Sequence, residues 1–211
     1  VTTNNDETTN TLTIEGGTTA AKVTLHNVNI DASGAAVSVS GDVELIISGT
    51  NTLQSGWGHA GVEKADDNGT LTISGPGKLN AYGGQGGAGI GGAWHKNASN
   101  IVIEGGTIEA HGGNWGAGIG GGQSAAGQNI TIRDGNVTAI PGGEAAGIGG
   151  GFGCYEKSTV RILGGVVDAV GNVFGSGIGG GEGDAQGAEV EIGGGAQVTA
   201  KGGLGDNKFN R

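Results

Sequence analysis

The chain has little of what staples a small protein together or draws it to charged partners. It carries one cysteine, Cys154, so no intrachain disulfide can form. A lone thiol of this kind reads as a small, partly buried hydrophobe. Only 10 Lys and Arg stand against 20 Asp and Glu, a net charge of −10. That shortage of basic residues argues against nucleic acid and against an anionic membrane surface as partners. No apolar run reaches transmembrane length, which predicts no membrane insertion. No signal peptide is legible, and Val1 reads as the start of a mature chain or of a segment cut from a longer one. Aromatics are few, with three Trp, three Phe and two Tyr, which makes their positions informative.

Glycine is the residue in excess, 52 of 211, with only two prolines. There is no Gly-X-Y period, which excludes collagen. A glycine every few residues disfavours helix by about 1 kcal/mol each relative to Ala. Disorder is equally disfavoured, because the apolar residues between the glycines are β-branched and periodic.

The period is explicit. Gly-Ala-Gly-Ile-Gly-Gly stands at 87–92 and 116–121, Ala-Ala-Gly-Ile-Gly-Gly at 145–150 and Gly-Ser-Gly-Ile-Gly-Gly at 175–180, so that Ile90, Ile119, Ile148 and Ile178 are 29, 29 and 30 residues apart. Repeats of this length are single turns of a solenoid. Two further apolar columns run in step: Leu71/Ile73, Ile101/Ile103, Ile130/Ile132, Val160/Ile162 and Val190/Ile192, then Leu79/Ala81, Ile108/Ala110, Val137/Ala139, Val167/Ala169 and Val198/Ala200. Within each, inward and outward residues alternate with the period of a strand. Three short strands per repeat predict an all-β, right-handed parallel β-helix, the hand following the crossover rule. About seven coils of 25–30 residues are expected, in a single domain spanning 1–211. Towards the N-terminus Val23/Leu25 and Leu45/Ile47 extend the first column, Val28/Ile30 and Leu53 the second, and Val37 and Val62 the third, while Leu12/Ile14 begin the first coil. Residues 1–10 read as a loose segment and 202–211 as a frayed end.

Several motifs dissolve on inspection. Gly116–Gly121 fits the dinucleotide pattern G-x-G-x-x-G but recurs four times and opens no helix, so it reads as a coil corner around a core Ile. His59, His95 and His111 have no second ligand at zinc spacing. The sequons at Asn68, Asn97, Asn129 and Asn136 follow from a composition rich in Asn and Thr. More telling are Trp57, Trp94, Trp115, Phe152, Phe174 and Tyr155, which flank the third column and occupy none of its inward positions. They are expected to border one Gly-rich face, where flat rings suit the apolar faces of sugars. Carboxylates offer a second candidate site: Glu109 and Asp168 face outward two coils apart, about 10 Å, a separation that inverting glycoside hydrolysis uses. Glu63, Asp66 and Asp67, and Glu182 with Asp184, form acidic clusters that can be read as Ca²⁺ sites.

The phrases Val23-Thr-Leu-His-Asn-Val-Asn-Ile, Ala35-Ala-Val-Ser-Val, Asn51-Thr-Leu, Ala60-Gly-Val and Leu71-Thr-Ile-Ser-Gly-Pro-Gly-Lys-Leu, together with the Gly-Ile-Gly repeats, resemble the Gly-rich β-helical carbohydrate-binding domains of secreted and surface proteins of Gram-positive gut and cellulolytic bacteria. The resemblance covers residues 11 to about 205. It implies a polysaccharide ligand, plant cell-wall glycans among them, an extracellular or cell-surface location, and in some relatives Ca²⁺. A pectate-lyase-type site, with an Asp cluster beside Arg or Lys on one strand face, is not evident. The expectation is therefore a non-catalytic polysaccharide-binding module requiring no cofactor. A polysaccharide lyase or hydrolase using Glu109 and Asp168, and a structural stalk or adhesin repeat, remain as alternatives. A homo-oligomer is compatible with all three.

Overall fold

A computed structural model describes residues 1–64, 66–184 and 186–205. Those residues form strands, bends and turns, with no helix long and apolar enough to cross a membrane. Every strand pairing is parallel, in a 13-stranded sheet and a 7-stranded sheet that wrap one core. The seven rungs of the smaller sheet mark about six complete turns. The parallel β-helix expected from the repeats is the fold.

The first ladder stacks Ala21, Val43, Leu71, Ile101, Ile130, Val160 and Val190 in one inward column. Its neighbour column runs Val23, Leu45, Ile73, Ile103, Ile132, Ile162 and Ile192. Leu71 is thus aligned with Val43 and not with Leu45, a slip of two residues from the sequence expectation. A two-residue slip keeps every side chain on its face, so alternation cannot distinguish the two registers. The second ladder runs through Ile30, Leu53, Ala81, Ala110, Ala139, Ala169 and Ala200. In two coils the first and second ladders fuse into single long strands, Ala98–His111 and Gly127–Ile140, with a register shift between Ile103 and Thr107.

The N-terminal residues are not loose. Glu7–Thr8 adds a rung below Asn29–Ile30, the Thr3 hydroxyl accepts from the Asn29 N–H, and the Val1 ammonium donates to the Thr24 carbonyl at 2.6 Å. The segment looked loose because it lacks apolar residues, but its backbone satisfies the open edge of the next coil. Leu12/Ile14 belong to the third ladder, beneath Val37/Val39. At the other end, Ile192 is 54% exposed where its equivalents from Leu45 to Ile162 are fully buried. Of the segment expected to be frayed, 202–205 carries no strand beyond Lys201, though Gly203 still donates to the Gly175 carbonyl; residues 206–211 lie outside the described residues.

Six of the described residues are polar and buried, Asn51, Ser55, Lys64, Ser99, Thr131 and Ser158, and Asn51 and Lys64 carry their amide and ammonium into the core. Asn51 stands between Val28 and Leu79, wholly buried, and meets its needs with the Val28 N–H and the Ser48 and Lys78 carbonyls. Lys64 pairs in register with Val39 and is 1% exposed. It sits where the third strand shortens, from four residues at Val37–Ser40 to two at Ile90–Gly91. There its ammonium ties the Asp66 carboxylate and the carbonyls of Asp66 and Asn68. From that rung onward the third side is a Gly-Ile-Gly pinch. A β-carbon on Gly118 would meet the Ile140 nitrogen and the Gly147 carbonyl oxygen at 2.7 Å, and Gly120 holds a φ of +140°. The glycine strip is therefore required by backbone lying on backbone.

Candidate functional site

The pinch shapes the surface beside it. Each Gly-Ile-Gly strand is so short that the loops entering and leaving it nearly meet: Ala117 donates to the Gly121 carbonyl, and Ala146 to that of Gly150. The leading tips, four residues before the column residue, are Gly58, Gly86, Trp115, Glu144 and Phe174. The trailing tips, four residues after it, are Trp94, Gln123, Phe152 and Glu182. These two borders were expected to flank the Gly-rich face. They instead bond to each other across successive coils: Trp94 N–H donates to the Gly58 carbonyl, Gln123 to Gly86, Phe152 to Trp115 and Glu182 to Glu144, at 2.7–3.0 Å. The result is one ridge parallel to the solenoid axis.

The aromatics gather on that ridge. Trp57 and Trp94 pack edge to face at 4.5 Å, with the His95 ring stacked on Trp94 at 4.7 Å. Trp115 and Phe152 lie 6.5 Å apart. Trp57 and Phe174 are largely open to solvent, Trp94 sits at the margin of exposure, and Trp115 and Phe152 are half-buried. All three tryptophans and two of the three phenylalanines are here; Phe209 lies outside the described residues. Tyr155 is exposed in the trailing loop beyond Phe152 and touches no aromatic partner among the described residues.

Trp115 and Phe174 adopt left-handed φ values of 74° and 63°, at the position where the earlier coils use Gly58 and Gly86. That conformation costs a non-glycine residue about 1–2 kcal/mol. Both bulky rings are thus held against their local backbone preference. Beside Trp94 opens a polar cleft of about 260 Å³, lined by Asp66, Asp67, His95, Lys96, Asn97 and Glu156 among others.

The proposed metal clusters are parted. Glu63 accepts from His59 Nδ1 at 2.8 Å, Asp66 is held by Lys64 and the Gly41 N–H, and Asp67 accepts from the Ser99 hydroxyl. Asp184 bonds the N–H groups of Gln186 and Gly187, while Glu182 lies on the ridge. Among the described residues no three acidic, His or Cys groups converge as a metal cage. The Asp66 carboxyl is opposed by burial but drawn below the ordinary aspartate value by the hydrogen bonds of Lys64 and Gly41 and the Lys64 charge.

Glu109 and Asp168 do share a face, separated by the Thr138 rung. Glu109 is salt-bridged to Lys78 at 2.8 Å, and one buried Asp168 oxygen meets no protein donor. Near them Tyr82 and His111 stack at 4.7 Å. Across adjacent rungs Arg133 pairs with Glu104 at 2.9 Å and Arg161 with Glu191 at 2.7 Å. Cys154 is fully buried, its thiol donating to the Glu156 carbonyl, and burial pushes its pKa up.

The pairing of tips across coils was not read from the sequence. One signal was available: Trp57 to Trp94 and Trp115 to Phe152 are both 37 residues apart. Four segments, residues 71–94, 101–123, 130–152 and 160–182, match the family model described as Beta helix repeat. They contain Trp94, Trp115, Phe152 and Phe174 and the pinch that aligns them. No curated protein and no solved structure matches the chain.

Proposed function

We propose that the protein is a non-catalytic polysaccharide-binding module that works outside the cell or at its surface, and that the aromatic ridge is its binding site. The observation that carries this is the concentration of the chain's scarce aromatics on one solvent-facing ridge, two of them in left-handed backbone conformations. Aromatic faces pack on the C–H faces of pyranose rings, while the polar atoms beside them bond hydroxyls. The cleft lined by Asp67, Lys96, Asn97 and Glu156 supplies such atoms next to Trp94. Binding in this reading draws on ring stacking and hydrogen bonds and needs no cofactor.

In the same reading Glu109 and Asp168 are structural and surface groups. The test is a glycan array and polysaccharide pull-down with wild type, Trp94→Ala and Trp115→Ala, repeated in EDTA, with assays for reducing ends and unsaturated products on the same samples. Retention that the variants lose and EDTA leaves unchanged, without product, is the expected result. Product formation abolished by Glu109→Ala or Asp168→Ala would replace this reading with an enzymatic one.

A further inference from the structure

The ridge is not evenly aromatic. Followed along the axis through its cross-coil hydrogen bonds, it presents Trp57 with Trp94, then Gly86 with Gln123, then Trp115 with Phe152, then Glu144 with Glu182, then Phe174. Aromatic and polar levels alternate, so aromatic surface recurs every second rung. Rungs of a parallel sheet are about 4.8 Å apart, which puts successive aromatic levels about 10 Å apart.

From this alternation we infer that the ligand is a neutral β-1,4-linked hexopyranose chain in its flat two-fold ribbon form, lying along the ridge with one disaccharide per two rungs. The inference rests on the glycan-binding reading above. In such a ribbon each sugar is turned over relative to the last, so the same ring face returns every second residue. The disaccharide repeat is close to two rungs, about 10 Å. Equivalent faces then meet Trp94, Trp115/Phe152 and Phe174 in turn, while the intervening sugars present hydroxyl edges to Gln123 and to Glu144 and Glu182. A helically coiled α-1,4 chain or a curved β-1,3 chain departs from this period within two or three sugars. Uronate chains are disfavoured for a separate reason. The Glu144/Glu182 level brings two acidic residues to the ridge, on a protein of net charge −10, and like charges brought together oppose binding.

The experiment is calorimetric titration of the wild-type protein with cellohexaose, mannohexaose, xylohexaose, maltohexaose, laminarihexaose and hexagalacturonate. Cellohexaose or mannohexaose should bind at least tenfold tighter than the maltose, laminarin and galacturonate oligomers. Xylohexaose, whose twist returns equivalent faces every third sugar, should bind more weakly than the best two-fold ribbon. A second arm moves the middle aromatic level by one rung: Gln123→Trp combined with Trp115→Gly and Phe152→Gln leaves aromatics on the first, second and fifth levels and should weaken cellohexaose or mannohexaose binding at least tenfold. Circular dichroism reports whether this variant folds, and the wild-type selectivity decides the matter even if it does not. Equal or tighter binding of maltohexaose, laminarihexaose or hexagalacturonate would overturn the inference and leave glycan binding standing. A folded triple variant with undiminished affinity would do the same. Binding of none of the six, with no polysaccharide retained on the array, would overturn both.

Discussion

Lys64 gives the sharpest test of how the solenoid changes cross-section. Its ammonium is buried where the third strand shortens, with Asp66 as its only charged partner among the described residues. Removing one member of a buried ion pair costs about 3–5 kcal/mol when the other charge is left behind. Asp66 is 31% exposed, and the ammonium keeps carbonyl partners at 2.9 and 2.6 Å, so screening brings the expected cost of Asp66→Asn to about 2 kcal/mol. Lys64→Met removes the charge and fills the same space with an apolar chain, which leaves stability within about 1 kcal/mol of wild type. In that background Asp66→Asn should cost less than about 0.5 kcal/mol, because nothing buried remains to be neutralised. Urea unfolding followed by circular dichroism measures all four corners of the cycle. The acid limb adds an independent reading. The Asp66 carboxyl is held below its ordinary value of 3.8 in the folded chain, so its contribution is fully present above that pH and is lost as the pH falls through the depressed folded value. Wild type should therefore lose more stability on acidification than Asp66→Asn. The lowered carboxyls of Glu44, Glu189 and Glu191, paired with Lys22, Lys157 and Arg161, add a slope common to both. A coupling below about 0.5 kcal/mol, or equal acid slopes, would refute the argument.

Three further outcomes follow from the same structure. Trp115→Gly relieves a left-handed tryptophan while losing its contact with Phe152, so stability should change by less than about 1 kcal/mol while glycan affinity falls at least tenfold; a large loss of stability would make the ring a packing element. Ile132→Ala should cost about 3 kcal/mol and Ile192→Ala, in the same column but half exposed, under about 1 kcal/mol, both read by urea unfolding; equal costs would contradict the open last rung. Cys154 should resist a thiol reagent under native conditions and react only on unfolding, because its thiolate is disfavoured by burial; immediate labelling would contradict the burial.

The sequence carried the three ladders because Ile90, Ile119, Ile148 and Ile178 repeat with their pinching glycines, and because alternation survives even where the register is ambiguous. It did not carry the alignment of Val43 with Leu71, since a two-residue slip preserves the face. Asn51 and Lys64 break the inward pattern, and the carbonyls that satisfy them are visible only once the coils are stacked. The N-terminal rung was hidden for the opposite reason, as it works through backbone hydrogen bonds and has no apolar signal. For the candidate site, the identity of the aromatics was legible and their assembly was not. Trp57 meets Trp94 only because a two-residue strand folds the leading tip of one coil against the trailing tip of the next. The acidic clusters were legible as neighbours in sequence, but not their partners: Glu63 meets His59, Asp66 meets Lys64 and Asp67 meets Ser99.

All three tryptophans lie on the ridge, so tryptophan emission reports directly whether sugars stack there. Titration with soluble neutral polysaccharides should give a saturable change in emission for at least one β-1,4-linked glycan, with no reducing ends released. Emission unchanged by every glycan that the protein retains in a pull-down would place binding elsewhere and contradict the account.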